Sequence, residues 1–415
     1  MSILNNVDTF PAALALCLFL IYYLGNLFVK LGQPRVMGEI AVGLILGPSF
    51  LGLFFNDLFV SLFNSHTITN MNFLKELGLI LLMFCSGYEL RHLNPQKYLK
   101  ICLIGVLMGI GLPAIFGFLL FNFIDISSLI GIVGSIEKLK FILILSMAVT
   151  SIPVISRILM DLDLLKTSFS KMVLSIALVE DLILYTFLNA LLSAKDVNVN
   201  LDVGVSMLAH LFVSAGFLLI VIFFREKIYN IAEKFTFGMK LEAYQYLILV
   251  LALLFSIVFL ASLGGIVSML SALGCGMILG SGSSLKIIEM SEVIRKFSFS
   301  IFIPMYFVMV GFKINLAQDF SLYWLLIILA TSSFFKILGG FLAGKFSCFS
   351  NLKSIILGIT LNARGGPGIV IATAALETNI INSVLFTTLI FTALLTSSFA
   401  GVVLKKFRTT IQNDM

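Results

Sequence analysis

The 415-residue chain has few of the residues that a water-soluble domain needs on its surface. Only 12% of its residues are charged, and a soluble domain has about twice that fraction. Apolar residues make up 60% of the chain, and the mean hydropathy is +1.10. Because we expect most of this chain to lie in lipid, its length does not predict a number of domains.

Sequence patterns of common enzymes and metal sites are also missing. The chain has no HExxH or GxSxG pattern, and its three His residues have no companion at metal-ligand spacing. The five Cys residues show no CxxC spacing, so we expect thiols without a disulfide, a metal site or a cofactor. The net charge of +6 falls in short clusters between apolar runs, which is typical of membrane topology and does not indicate a nucleic-acid surface.

Long apolar runs fill most of the chain, and a bilayer-crossing helix needs roughly 20 such residues. Thirteen candidate spans lie at 10–31, 35–54, 73–93, 99–123, 139–161, 167–195, 201–224, 241–262, 264–280, 296–313, 320–345, 352–376 and 383–405. Two are weak as simple spans, because 35–54 contains Pro and Gly and 264–280 is short. No Lys or Arg precedes the first run, so we interpret it as a permanent span and not a cleaved signal.

The 27 Lys and Arg residues predict the orientation. With the N-terminus outside, 19 of them fall on the cytoplasmic side, 5 outside and 3 within spans. The five outside are Lys75, Lys138, Lys140, Lys195 and Lys313. Because cytoplasmic loops carry the excess of Lys and Arg, we predict a multi-pass protein of the cell (inner) membrane with a cytoplasmic C-terminus.

Two spans are interrupted near their centres. One contains "VTSIPVIS", in which Pro153 follows Thr150 and Ser151. The other contains "LNARGGPG", whose interrupting residues are Asn362, Arg364, Gly365, Gly366 and Pro367. Pro removes a backbone donor and Gly lowers helix preference. Broken backbone at membrane depth is tolerated only inside protein or beside water, so these breaks indicate a functional centre. A simple proline kink is the alternative for the first of them.

The positions of the two breaks predict an internal repeat. They fall in the fifth and twelfth spans, which hold the same place if the chain divides into six spans, one linker and six spans. An odd linker gives the halves opposite orientations, which is the inverted-repeat design of secondary transporters. We infer this repeat from the pattern alone.

Adjacent carboxylates, Glu180 and Asp181, lie inside the apolar span 167–195. A helix of that length is about 43 Å long, and the pair lies about 20 Å from its cytoplasmic end, near the midplane. A charge there usually faces a partner or water. Lys336, inside another long apolar span, is the expected partner of one acid. The alternative is a buried ion pair that only holds helices together, although one lysine cannot neutralise two acids.

Four sequence stretches, in order along the chain, resemble the sodium/hydrogen exchanger superfamily. They are "GEIAVGLILGPSFLG" (38–52), "LGLILLMFCSGYEL" (77–90), "IFIPMYFVMVGFKINL" (301–316) and "LNARGGPGIVIATAALE" (361–377). Within the superfamily, the chain resembles bacterial members of the monovalent cation:proton antiporter family 2. The resemblance covers nearly the whole membrane domain and is specific to the superfamily, much less to the substrate.

The resemblance implies an all-α fold of about 13 transmembrane helices, with two inverted six-helix repeats and crossed discontinuous helices. It implies one membrane domain over 1–409 and a short cytoplasmic tail, 410–415. The parts of the domain are first-repeat elements from about residue 39 to 195 with core helices 99–195, a linker helix 201–224, and a second repeat 241–405 with core helices 320–405. A homodimer is also implied, in which the core part moves against a fixed dimerisation part.

The resemblance assigns the transported ion to the second acid of the pair, Asp181. This carboxylate would hold either Na⁺ or K⁺, or a proton. Glu180 takes the first acid position. The hydroxyls of Thr150 and Ser151, beside the first break, match residues that help to coordinate the ion.

Three further residues match positions of known roles in the family. Lys336 and Arg364 match compensating charges, and Glu39 lies in the stretch near the cytoplasmic funnel. Gly366 departs from the family, in which an acid often follows the Arg-Gly pair, so Arg364 needs another partner: Glu180, a helix C-terminus or water. We also expect no cytosolic nucleotide-binding domain of the kind that many potassium-efflux relatives carry.

These observations predict a secondary antiporter that exchanges Na⁺, K⁺ or both for protons by alternating access, and not an enzyme. The partners expected are the transported ions and the lipid bilayer. A cation channel and a sodium-coupled transporter of an organic solute are the alternatives. No filter-like repeat is visible for a channel, and the sequence does not choose between Na⁺ and K⁺.

Overall fold

Long apolar segments form helices because backbone N–H and C=O groups in lipid must pair within their own segment. The computed structural model describes residues 8–89, 99–165, 167–193, 202–236, 243–282 and 285–412. Within these ranges, 11 helices are long and apolar enough to cross a membrane. The predicted all-α fold is confirmed, whereas the count of about thirteen crossings stays a prediction.

The first half and the linker contain ten helices within the described residues. They are α1 (Phe10–Lys30), α2 (Arg35–Leu46), α3 (Leu51–Phe54), α4 (Asn56–Leu62), α5 (Ser65–Glu89), α6 (Leu99–Phe123), α7 (Ile136–Ala148), α8 (Ile152–Asp161), α9 (Ser168–Ser193) and α10 (Asp202–Thr236). The linker helix α10 extends past the predicted end at 224, because its charged last turns continue the helix beyond the apolar run.

The second half also contains ten helices within the described residues. They are α11 (Ala243–Leu263), α12 (Ser268–Gly280), α13 (Leu285–Phe297), α14 (Ile303–Phe312), α15 (Leu316–Asp319), α16 (Leu322–Phe346), α17 (Asn351–Leu361), α18 (Gly365–Glu377), α19 (Ser383–Lys406) and α20 (Arg408–Gln412). A π-helical turn, Ser298–Phe302, joins α13 to α14. One apolar span therefore covers Glu289–Phe312 and begins earlier than the predicted 296–313. Of the predicted tail, 410–412 continue α20, and 413–415 lie outside the described residues.

Helix packing relates the two halves as an inverted repeat would. Counted by membrane spans, α2 and α12 are second in their halves, and α5 and α14 are third. Each second span packs on the third span of the other half, so that α2 contacts α14 and α12 contacts α5. Glycines allow both crossings: a Cβ at Gly43 would overlap the Val308 carbonyl, and one at Gly276 would overlap the Phe84 carbonyl. The fourth helices, α6 and α16, also pack on each other.

A second group of helices packs around the two breaks. It consists of α6, α7, α8, α9, α16, α17, α18 and α19. Within this group α9, α17 and α18 are mostly buried. By contrast, α1, α10 and α11 expose large apolar side chains such as Phe19, Phe212 and Phe259. That distribution is expected where the solvent is lipid.

Candidate cation and proton site

The two broken helices meet at their interruptions. The first break, 149–151, separates α7 from α8, and the second, 362–364, separates α17 from α18. The backbone N–H of Ser151 donates to the carbonyl of Ala363 at 2.7 Å, and the Thr150 hydroxyl lies 2.7 Å from the Leu361 carbonyl. Four helix ends therefore converge, and their unpaired N–H and C=O groups carry partial charges of both signs.

Backbone geometry at the second break depends on glycine. Gly365 has a φ of +23°, and its N–H donates to the Ser397 hydroxyl at 3.1 Å. A Cβ at Gly365 would overlap Val154, whereas one at Gly366 would meet no atom within 4 Å. The position at which relatives often carry an acid is therefore open here. In the first break Pro153 lies in the first turn of α8, but its side chain lies outside what the structure describes.

Glu180 and Asp181 lie near the middle of α9 and are both buried. Glu180 is 0% exposed and Asp181 is 6% exposed. Neighbours on a helix point about 100° apart, so the two carboxylates have different surroundings.

Glu180 lies in an ion pair with Lys336 on α16. The distance from Glu180 Oε2 to Lys336 Nζ is 2.9 Å, and both side chains are fully buried. The Thr150 hydroxyl donates to the same carboxylate at 2.5 Å. Lys336 also donates to the carbonyls of Gly109, at 3.0 Å, and Ala148. All three ammonium protons thus have acceptors.

Arg364 has no carboxylate partner among the described residues. Its guanidinium donates to the Ser332 hydroxyl at 2.6 Å, to Asn362 Oδ1 at 3.0 Å and to the Met147 carbonyl at 3.4 Å. Of the compensations considered from the sequence, the structure therefore shows the helix C-terminus, because Met147 is in the last turn of α7. The negative end of a helix dipole stabilises a cation there.

Asp181 differs from Glu180, because no ion pair to its carboxylate is found among the described residues; its Oδ1 atom, like Glu180 Oε1, has no hydrogen-bond partner there. The Ile152 backbone N–H, at the start of α8, lies against the carboxylate. Asp181 also borders a small cavity between α5, α9, α12 and α18. An isolated ionised carboxylate is costly to bury, so this site favours an occupant with a positive charge.

Of the other predicted residues, Pro367 lines this cavity, whereas Thr150, Ser151 and Glu39 do not. The hydroxyls of Thr150 and Ser151 are fully buried, and neither residue lines the cavity. Ser151 Oγ accepts a hydrogen bond from the Val154 backbone at 3.4 Å. Glu39 is 4% exposed on α2, and its carboxylate lies 3.6 Å from Arg35 Nε.

Three features of the site were not predicted from the sequence. One is Tyr185, one turn after Asp181, which borders the cavity together with Ser86. Another is an ion-pair cluster at the end of α18, where Glu377 Oε1 lies 2.5 Å from Lys75 and 2.7 Å from Lys313. Lys75 and Lys313 are two of the five basic residues predicted to lie outside. Their shared side was the sequence signal that could have indicated this cluster.

The third feature is a clamp centred on Asn189 of α9. Its amide donates to the Ser214 hydroxyl on α10 at 2.5 Å and to the Gly265 carbonyl at 3.4 Å. Its Oδ1 accepts from the Val267 backbone N–H at 2.6 Å, just before α12. The helix that carries the two acids is thereby tied to the linker and to the start of α12.

Crossed helix breaks around a buried acid pair, in a bundle of membrane-length helices, define a class of membrane carriers for small ions. The family model "Sodium/hydrogen exchanger, transmembrane" matches residues 15–408. The chain therefore belongs to the sodium/hydrogen exchanger family, and the resemblance seen in the sequence is confirmed.

Individual relatives share about a quarter of their residues with this chain. The Na(+)/H(+) antiporter of Enterococcus hirae is 26% identical over 382 residues, which cover 91% of this chain and 92% of that protein. The Na(+)/H(+)-K(+) antiporter GerN of Bacillus cereus is 26% identical over 393 residues, which cover 92% of each protein. The structure of the sodium proton antiporter MjNhaP1 from Methanocaldococcus jannaschii matches with a TM-score of 0.68 and 16% identity, over 97% of this chain and 98% of that chain. That likeness shows a shared fold.

Proposed function

We propose that this protein is a secondary active antiporter that exchanges a monovalent cation, Na⁺ or K⁺, for protons, with Asp181 as the site that both ions share. The observation that carries the proposal is Asp181, which is buried beside the two helix breaks, lines a small cavity and has one carboxylate oxygen without a hydrogen-bond partner. Relatives that align over about nine-tenths of the chain are named as antiporters of these ions.

Competition for one carboxylate gives exchange its coupling. A proton or a monovalent cation neutralises Asp181, whereas an empty site would carry a bare negative charge through a low-dielectric interior. Because that charge is costly to move, the loaded site crosses between the two faces and the empty site does not. Each cation that leaves in one direction is then replaced by a proton in the other.

Glu180 and Lys336 are proposed to make the exchange respond to voltage. A cation at Asp181 would attract the neighbouring Glu180 carboxylate and weaken its bond to Lys336, which is 2.9 Å long here. A lysine that loses its counter-charge in a dry site releases its proton. More than one proton would then move for each cation, so net charge would cross the membrane.

The proposed moving part is the helix group around the breaks, which corresponds to core helices 99–195 and 320–405. The α2/α14 and α5/α12 pairs, held together by close glycine contacts, fit a fixed part. We also propose a homodimer in the cell (inner) membrane with the N-terminus outside. The Glu377 cluster fits that orientation, since it gathers two of the five lysines predicted outside.

Proteoliposomes loaded with a pH-sensitive dye test the function. Addition of Li⁺, Na⁺, K⁺ or Rb⁺ to vesicles with an imposed pH gradient should collapse the gradient for at least one of these ions. The Asp181→Asn variant should fold and show no collapse, because the amide cannot hold a proton or balance a cation.

Asp125→Asn is the matched control for that variant. Asp125 is exposed after α6, and hydrogen bonds from Ser127 hold the pKa of this carboxyl below its usual range. Asp125 lies in the exposed segment after α6, whereas Asp181 is buried in α9. The Asp125→Asn variant should therefore exchange normally. Undiminished exchange by Asp181→Asn would remove the assignment of the shared site.

A further inference from the structure

The cavity beside Asp181 lies between the α5/α12 pair and the group of helices around the two breaks. Ser86 of α5 and Leu273 of α12 border it on one side, while Asp181, Tyr185 and Pro367 border it from α9 and α18. Its free space holds on the order of one water molecule. A site of that size suits a single ion stripped of most of its hydration water.

Two of the residues on α9 that line this cavity have a buried polar atom without a hydrogen-bond partner. These atoms are Asp181 Oδ1 and the Tyr185 hydroxyl, from side chains that are 6% and 5% exposed. The two residues are four positions apart, so both lie on the same face of the helix. Buried polar groups are normally paired, so two unpaired oxygens on residues that line one cavity make it a candidate site for a polar or ionic ligand.

Ser86 approaches the same cavity from α5. The backbone beside it is held tightly, because a Cβ at Gly87 would overlap the Leu273 carbonyl of α12. Ser86 therefore lines the cavity from a closely packed pair of helices, α5 and α12, whereas the acid lies on α9.

The hydroxyls predicted from the sequence are engaged elsewhere. Thr150 faces Glu180 and the Leu361 carbonyl, and Ser151 caps the start of α8. Neither lines the cavity. The oxygen atoms available to an ion held by Asp181 come instead from the cavity walls.

We propose that Ser86 and Tyr185 are ligands of the transported cation, completing its coordination around Asp181; this inference rests on the antiport function proposed above. Monovalent hard cations bind oxygen ligands, and hydroxyls are neutral. These two ligands therefore raise the affinity for the cation and add no second acid for a proton to occupy. They set the balance between the cation and the proton at a single carboxylate.

Coordination from both sides also gives the loaded site a preferred arrangement. Since Ser86 belongs to α5 and Tyr185 to α9, the cation has all three protein ligands only while the two helix groups are packed as in this structure. A proton on Asp181 needs neither hydroxyl.

The test compares Ser86→Ala and Tyr185→Phe with Ser298→Ala and Tyr88→Phe. The control side chains are buried hydroxyls that do not line the cavity, at 1% and 2% exposure. Exchange by each protein is measured in proteoliposomes over a range of Na⁺ and K⁺ concentrations at one pH. Binding without turnover is measured as the thermal stabilisation of purified protein by Na⁺, with choline as the reference cation.

We expect each cavity variant to raise the KM for its cation about tenfold, as the loss of one ligand would. The stabilisation by Na⁺ should shrink in parallel, while the melting temperature in choline stays that of the wild type. Wild-type KM and stabilisation in both cavity variants would overturn the assignment. So would a lower melting temperature in choline with no change in KM, because the hydroxyls would then be structural. If the wild-type protein itself neither exchanges nor responds to any cation, the antiport proposal fails.

Discussion

Replacement of Lys336 by Met would remove the ammonium that lies 2.9 Å from Glu180, where neither side chain is exposed. Methionine is flexible and of similar length, so the packing along α16 is largely kept. The Glu180 carboxylate would keep the Thr150 hydroxyl as its partner but would lose its counter-charge.

The magnitude follows from what remains buried. Breaking one side of a buried ion pair costs about 3–5 kcal/mol, because the other charge is left uncompensated. Uptake of a proton by Glu180 moves the cost toward the lower end of that range. The double variant Glu180→Gln, Lys336→Met has no stranded charge and loses mainly hydrogen bonds, at about 1 kcal/mol each.

Unfolding of four purified proteins in detergent measures this difference: wild type, the two single variants and the double variant. The double variant should be more stable than Lys336→Met alone, with a coupling free energy of about 2 kcal/mol or more. Glu180→Gln should fall between them, because Lys336 keeps its bonds to the Gly109 and Ala148 carbonyls.

Two results would refute this reasoning. If the single effects add to within about 0.5 kcal/mol, the two side chains do not interact as the geometry indicates.

The transport proposal is tested in the same proteins, since the double variant with Asp181 intact should exchange ions without responding to an imposed voltage. A wild-type protein that is equally insensitive to voltage would exclude the proposed role of Lys336 in charge movement.

Two further substitutions test the packing of the charges. Gly109→Ala would place a Cβ in overlap with Glu180 Oε1 and should destabilise the protein by about 1–3 kcal/mol, whereas Gly111→Ala, with no atom within 4 Å, should be neutral or slightly stabilising; equal unfolding temperatures would contradict this. Glu377→Gln would remove the carboxylate that Lys75 and Lys313 share and should lower the stability by about 1–2 kcal/mol in thermal unfolding. The control Glu137→Gln, at an exposed acid in the first turn of α7, should cost less than about 1 kcal/mol. Equal stabilities of these two variants would show that the cluster is not stabilising.

The sequence predicted the helical fold and the positions of the two helix breaks because both depend on local patterns. Apolar runs of membrane length appear in any window, and Pro and Gly mark the breaks where they occur. Glu180, Asp181 and Lys336 were noticeable because a charge is rare in such runs. In those respects local composition determines structure strongly.

Contacts between helices that are far apart in the chain could not be predicted from the sequence, because no local pattern records them. Ser86 and Tyr185 are ordinary residues of apolar helices, and only the three-dimensional fold brings them to one cavity, with α12 packed on α5 and also in contact with α9. The same is true of Arg364, whose partners are carbonyls and neutral side chains that no charge pattern reveals. Thr150 is near the acids as expected, yet its hydroxyl faces Glu180 and not the cavity.

The Asn189 clamp has a mechanical consequence for any displacement of α9. One amide side chain holds Ser214 on α10 and also the backbone that leads into α12. If α9 slides past α12 while it carries an ion, the bond to Val267 must break or α12 must follow. A backbone N–H that is left without an acceptor in a dry interior costs about 1–3 kcal/mol. Asn189 would thus act as a latch whose release adds to the barrier between the two faces, and its geometry helps to set the speed of the transport cycle.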